Sequence, residues 1–262
     1  MHISRLSRAL VAFLLWAAAL YGLLCVALLV FQRAFIYFPQ PRAIDNPAML
    51  LKLPMEDAEV LVSTRPLEGP NALIYFGGNA EDVSLNLPEF SQAFGDHALY
   101  LLHYRGYGGS GGSPSEEAIQ ADALALFDQV YAQHPCTVVV GRSLGTGVAV
   151  RLASRRPAAR LVLITPYNSI QEQAQRRFPY IPVQWLLKDK FESWKYAQQI
   201  RVPTLLIAAQ QDQVIPRAST DALFSHFAPG VAALKVIPAA GHNSIAQRPE
   251  YLRLLKGALC EG

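Results

Sequence analysis

Thr137-Val138-Val139-Val140-Gly141-Arg142-Ser143-Leu144-Gly145 is the stretch on which the fold turns. A β-branched apolar run leads into a glycine, a serine two residues on and a second glycine two beyond that. A helix-compatible stretch containing Gly147 follows. Strand, tight turn and helix in that order form a nucleophile elbow. The serine of such a turn sits in a strained backbone conformation, and the flanking glycines remove side chains that would collide. Ser143 is therefore the candidate nucleophile.

A second segment, Gly108-Gly109-Ser110-Gly111-Gly112, has the same spacing but a different context. Arg105 to Gly108 separate it from the preceding apolar run, and Gly112-Ser113-Pro114 follows where a helix is required. Ser110 reads as part of a flexible turn.

A serine hydroxyl needs a histidine base, and that base needs a carboxylate to set its tautomer and stabilise the imidazolium. Behind an elbow of this kind the chain order is serine, acid, histidine. Asp212 lies just beyond the apolar run Thr204 to Ala208, and His242 follows the run Ala233 to Ile237 in Ala-Ala-Gly-His-Asn-Ser. Both fall in loops after strand ends, where ligands gather in open parallel sheets. Asp189 is the rival acid, and His2, His97, His103, His134 and His226 lack the order or the loop position.

Two N–H donors are needed for a developing oxyanion. Leu144, next to the serine, supplies one. Asn79, in Phe76-Gly77-Gly78-Asn79-Ala80, is the expected second, although those glycines could instead only shape a strand-to-helix turn.

Outward from the elbow, short apolar runs alternate with amphipathic stretches, the pattern of a mostly parallel sheet with helices on both faces. Strands are expected at Val60–Ser63, Ala72–Phe76, Ala98–His103, Thr137–Val140, Leu161–Ile164, Thr204–Ala208 and Ala233–Ile237. Ser113-Pro114-Ser115-Glu116 reads as a capping box, with Ser113 as the cap of a helix reaching about Gln133. Further helices are expected after Ser143, over Ser219–His226 and over Pro249–Leu259. The long insertion at 167–199, rich in aromatic and apolar residues, reads either as a small cap or as an ordinary crossover.

Ala9 to Phe31 carry no charge, and at the helical rise they cover roughly 34 Å, enough to cross a hydrocarbon core. The stretch exceeds the apolar part of a signal peptide, and no small-x-small cleavage site follows, so an uncleaved single-pass anchor is the expectation. Residues 1–35 are read as that anchor and 36–262 as a catalytic domain, with Pro39-Gln40-Pro41 as the linker. Arg5 and Arg8 face Arg33, Arg42 and Lys52 across the segment. A short arginine-bearing amino tail favours retention in the cytoplasm, which puts the catalytic domain across the membrane, in a periplasm-like space for a bacterial source.

The 262 residues are 52% apolar and 16% charged, which excludes a disordered chain. Basic residues number 23 and acidic residues 20. With Arg5, Arg8 and Arg33 set beside the apolar segment, the remainder balances, leaving no cationic footprint for nucleic acid. Cys25, Cys136 and Cys260 have no metal-ligand spacing, and neither a metal nor an organic cofactor is expected. Cys136 and Cys260 read as separate, unpaired small hydrophobes, with a bond between them left open.

Phe76-Gly-Gly-Asn-Ala80, Tyr104-Arg-Gly-Tyr-Gly-Gly-Ser110, Gly141-Arg-Ser-Leu-Gly145, Asp212-Gln-Val-Ile-Pro216 and Gly241-His-Asn243 occur in that order, and the combination resembles the α/β-hydrolase superfamily. It is similar to a membrane-associated branch with a Tyr-Arg-Gly-Tyr-Gly-x-Ser box that includes protein depalmitoylases and bacterial hydrolases. The resemblance runs from about Ile36 to the end and takes in Tyr180 to Phe191. Gly77 and His103 stand where that branch commonly has histidine and aspartate. The resemblance implies ester or thioester hydrolysis, without fixing a substrate. An anchor beside an aromatic insertion suggests an amphiphilic acyl ester or thioester. An aminopeptidase or amidase with the same residues, or a non-catalytic binding protein of the same fold, remains the alternative.

Overall fold

A computed structural model describes residues 5–260, so His2 lies outside the described residues. The chain begins with α1 (Arg5–Ile36), followed by β1 (Leu50–Pro54), β2 (Glu59–Arg65), β3 (Asn71–Phe76), α2 (Leu87–Ala93), β4 (Ala98–Leu102) and α3 (Glu116–Tyr131). Then come β5 (Cys136–Arg142), α4 (Leu144–Ala153), β6 (Arg160–Ile164), α5 (Ile170–Arg177), α6 (Val183–Leu186) and α7 (Ser193–Ala197). The chain closes through β7 (Thr204–Ala209), α8 (Arg217–Ser225), β8 (Ala232–Ile237) and α9 (Pro249–Lys256).

The eight strands form one sheet in the order β1-β2-β4-β3-β5-β6-β7-β8. The pairs β1–β2 and β2–β4 are antiparallel, and all later pairs are parallel. All seven expected strands are present. The central ones are apolar on both sides because helices cover both faces. Along β3, Ile74 and Phe76 enter the core shared with α3, α4 and α8, whereas Leu73 and Tyr75 enter the core shared with α2 and α9. Each such buried side chain contributes about 1.5–3 kcal/mol through removal from water.

Three local expectations are corrected. The cap of α3 is Ser115, whose hydroxyl accepts from Ala118 N, and not Ser113. Glu116 is drawn away from a capping box because it pairs with Arg151 and accepts from Phe191 N. The edge strand β1 was not expected: it is short, exposes Lys52 and ends in Pro54, which only a strand edge tolerates. Pro39-Gln40-Pro41 is no free linker, because Gln40 O accepts from Gly108 N and Arg42 donates to Gly108 O.

Cys136 and Cys260 form a disulfide, correcting their reading as unpaired thiols. Cys136 opens β5 and Cys260 follows α9, and packing of α9 on the sheet brings their Cα atoms to 6.4 Å. A pair 124 residues apart in sequence is created by tertiary packing alone.

Candidate active site

Ser143 occupies the turn between β5 and α4 with φ 49°, a left-handed conformation held from both sides. Its N–H donates to Ile164 O of β6 at 2.9 Å, and Gly145 N donates to Gly77 O at 3.1 Å. The latter contact seats the start of α4 against the end of β3 so closely that a Cβ on Gly145 would lie 2.0 Å from Phe76 O. The elbow context read from the sequence is thus physically enforced by its neighbours.

Asp212 and His242 arrive on the loops after β7 and β8. His242 Nε2 lies 3.0 Å from Ser143 Oγ, and its Nδ1 lies 2.8 Å from Asp212 Oδ2. The other Asp212 oxygen accepts from Val214 N at 2.9 Å and Ile215 N at 2.7 Å. Burial pushes the Asp212 carboxyl up, but the His242 hydrogen bond and the two backbone donors outweigh it and hold the group below its ordinary value. An ionised Asp212 keeps the imidazole proton on Nδ1 and leaves Nε2 to accept from the Ser143 hydroxyl. The arrangement can activate a hydroxyl and relay its proton.

Asp189 is elsewhere. It is buried against α1, where it accepts from Arg33 Nε at 3.0 Å and from the Tyr37 hydroxyl at 3.1 Å. The other described histidines are engaged in structure: His97 with Asp96, His103 with Ser63, and His134 with Tyr100 and Gly69 O, while His226 packs on Trp194.

Leu144 and Asn79 line the same cavity as Ser143. Among the described residues, neither backbone N–H has an intramolecular acceptor. The Gly78 N–H, by contrast, is taken by Glu81 Oε2 at 2.7 Å. Leu144 O accepts from the fully buried Tyr167 hydroxyl at 3.0 Å. Asn79 O accepts from Phe38 N at 3.0 Å and from the Tyr107 hydroxyl at 2.7 Å, and its side chain donates to Ile36 O. The segment leaving α1 therefore holds the Asn79 peptide in place.

A cavity of about 290 Å³ lies over Ser143. One wall comes from the 167–199 insertion, including Ile170, Phe178, Ile181 and Leu187, and another from Leu28, Gln32, Phe35 and Ile36 of α1. Among the described residues, no aspartate or glutamate lines it. The contribution of α1 was missed in the sequence. The apolar run ends at Phe31, yet Ala34-Phe35-Ile36-Tyr37-Phe38 resumes at once after Gln32 and Arg33, a signal that the helix continues into the domain.

Comparison with known proteins agrees with this architecture. Residues 89–198 match the family described as serine aminopeptidase, S33. The uncharacterized protein Rv2307c of Mycobacterium tuberculosis is 32% identical over 241 residues, covering 84% of this chain and 82% of that protein. Lysophosphatidylserine lipase ABHD12 of Xenopus tropicalis is 31% identical over 220 residues, covering 74% of this chain. The match spans only 55% of that lipase's own length. Among solved structures, the Pyrococcus furiosus esterase Pf2001 superposes with TM-score 0.65 at 20% identity, covering 84% of this chain and 97% of that one, a likeness of fold. Sheet order, elbow and relatives together place the chain in the α/β-hydrolase superfamily.

Proposed function

We propose that the protein is a membrane-anchored serine hydrolase of carboxylic esters or thioesters, with Ser143 as nucleophile, His242 as general base and acid, and Asp212 as the group that orients His242. The observation that carries this reading is the unbroken hydrogen-bonded chain from Ser143 Oγ through His242 to Asp212, at 3.0 and 2.8 Å, beneath an apolar cavity. Ser143 Oγ attacks the acyl carbon as its proton passes to His242 Nε2. The oxyanion accepts hydrogen bonds from Leu144 N and Asn79 N, with the first turn of α4 adding its dipole. Collapse of the tetrahedral intermediate returns the proton to the departing alcohol or thiol and leaves an acyl-enzyme. Water, deprotonated by His242, then releases the acid.

The cavity lining favours esters over aminoacyl amides, because its described side chains are mostly apolar and include no acidic group to serve as counter-charge to a free α-ammonium group. The 167–199 insertion serves as the cap over the acyl site. Arg8–Ile36 is long and apolar enough to cross a membrane, and α1 acts as a single-pass anchor. The Cys136–Cys260 disulfide supports a catalytic domain on the oxidising side, with Arg5 and Arg8 retained in the cytoplasm.

The test is covalent labelling of the full chain with a fluorophosphonate. Wild type labels and Ser143→Ala does not. Equal labelling of the two, or no labelling of a folded wild type, overturns the assignment. Faster cleavage of acyl p-nitrophenyl esters than of aminoacyl anilides is the accompanying expectation.

A further inference from the structure

The anchor helix is too short on its free side to complete a membrane span before the cap meets it. From Ala9 to Leu20 every residue of α1 is exposed all round, and this stretch covers about 18 Å of helix. A hydrocarbon core is ~30 Å thick. From Tyr21 onward one face of α1 is engaged: the Tyr21 hydroxyl donates to Tyr180 O at 2.7 Å, and Cys25, Leu28, Leu29, Gln32 and Ile36 are partly or fully covered at helical spacing. A span starting at Ala9 therefore ends near Leu28, inside the stretch that the cap already covers.

The cap surface beside that stretch has the composition such a position demands. Phe178, Tyr180 and Trp185 expose 36%, 88% and 77% of their surface. Tyrosine and tryptophan favour the membrane–water boundary, and cationic side chains extend from there to head groups. Arg176, Arg177 and Lys188 are exposed at the two ends of this aromatic stretch. Apart from the Tyr21–Tyr180 bond, the polar contacts between the cap and α1 among the described residues lie further along the helix, where Gln32 bonds Leu186 O and Lys188 N and Arg33 pairs with Asp189. The cavity over Ser143 is bounded by α1 on one side and by this same part of the cap on another.

We propose that the tip of the cap, residues 178–187, is seated in the bilayer leaflet nearest the catalytic domain, against α1, and that acyl chains reach Ser143 from that leaflet between α1 and the cap. This rests on α1 being a membrane anchor and on Ser143 being the nucleophile. Its ligand is a lipid surface. The substrate class that follows is an acyl ester or thioester resident in the membrane, with its acyl chain in the apolar cavity and its carbonyl at Ser143.

The full chain in nanodiscs carrying lipids brominated along their acyl chains provides the test. Three single-tryptophan variants are compared, keeping Trp16, Trp185 or Trp194 and replacing the other two by phenylalanine, with fluorophosphonate labelling of Ser143 checked separately on each. Quenching of Trp16 and Trp185, with Trp194 spared, is expected. Quenching of Trp16 while Trp185 behaves like Trp194 overturns the seating of the cap and leaves the anchor reading intact. Unquenched Trp16 overturns both, and labelling of Ser143 reports on the hydrolase reading independently of either. In addition, the double variant Tyr180→Ser, Trp185→Ser, neither residue lining the cavity, is expected to lose about fivefold or more of its rate on a long-chain ester in vesicles. Its rate on p-nitrophenyl acetate in detergent stays at the wild-type level. Equal losses on the two substrates overturn the proposal.

Discussion

The chain contains two loops of identical spacing, Gly141–Gly145 and Gly108–Gly112, that do opposite work. In the first, Ser143 is forced to φ 49° with its hydroxyl toward His242 and the cavity. In the second, Ser110 is buried and saturated: its hydroxyl donates to His103 O and accepts from Leu61 N, both at 2.9 Å. Ser110 is therefore no flexible turn, as its glycines suggested, but a peg that ties its loop to β2. Around it, Tyr104 bonds Gly77 O and Tyr107 bonds Asn79 O, so this loop braces the segment 77–79, of which Asn79 lines the same cavity as Ser143. A five-residue pattern reports only that a serine sits in a tight turn. What the hydroxyl meets is decided by the elements on either side.

The largest expected contrast lies between the two serines themselves. Ser143→Ala is expected to lower hydrolysis by at least about a thousandfold with little change in the melting curve, measured as initial rate on an acyl p-nitrophenyl ester. Loss of rate on Ser110→Ala with Ser143→Ala still active would reverse the two roles.

Next comes the backbone of the elbow. Gly145→Ala places a methyl group 2.0 Å from Phe76 O, a backbone atom that cannot turn aside, and is expected to cost about 3 kcal/mol or more in a denaturant melt. A melt unchanged from wild type would mean that the start of α4 is not pressed against β3.

The bracing loop should show itself in the acid range. His103 is buried beside Gly108, and burial lowers its pKa to about 4 from the model-peptide value of 6.5. The unfolded chain therefore binds the proton first. Stability is retained above about pH 6.5 and is lost as pH falls toward 4, by about 3 kcal/mol from this group. His103→Gln should flatten that part of the stability-versus-pH curve, and an unaltered slope would assign the loss to other groups.

Smaller still is Ser110→Ala, which leaves Leu61 N–H without its acceptor and is expected to cost about 1–3 kcal/mol while labelling of Ser143 persists. The least effect is expected at Gly111→Ala, whose new methyl group would meet Glu59 O at an ordinary 3.5 Å, so stability should stay within about 0.5 kcal/mol. A large loss there would show that the two loops are equally constrained.

Some of this was legible in the chain itself because it is encoded locally. The seven expected strands follow from runs of apolar, β-branched residues, and the elbow follows from glycines placed where a strand must turn into a helix. The order Ser143, Asp212, His242 is a property of the sequence, and the parallel sheet turns it into proximity by carrying all three to the same strand ends. Other features depend on contacts between residues far apart, which no window of sequence contains. The Cys136–Cys260 bond exists because α9 packs on the sheet, and Asn79 is held because Ile36, Phe38 and Tyr107 converge on it. The hydrophobicity of α1 specified an element able to cross a membrane. That its last turns also wall the cavity over Ser143 was decided by the packing of the 167–199 insertion against them, since an apolar helix face can be buried by lipid or by protein alike.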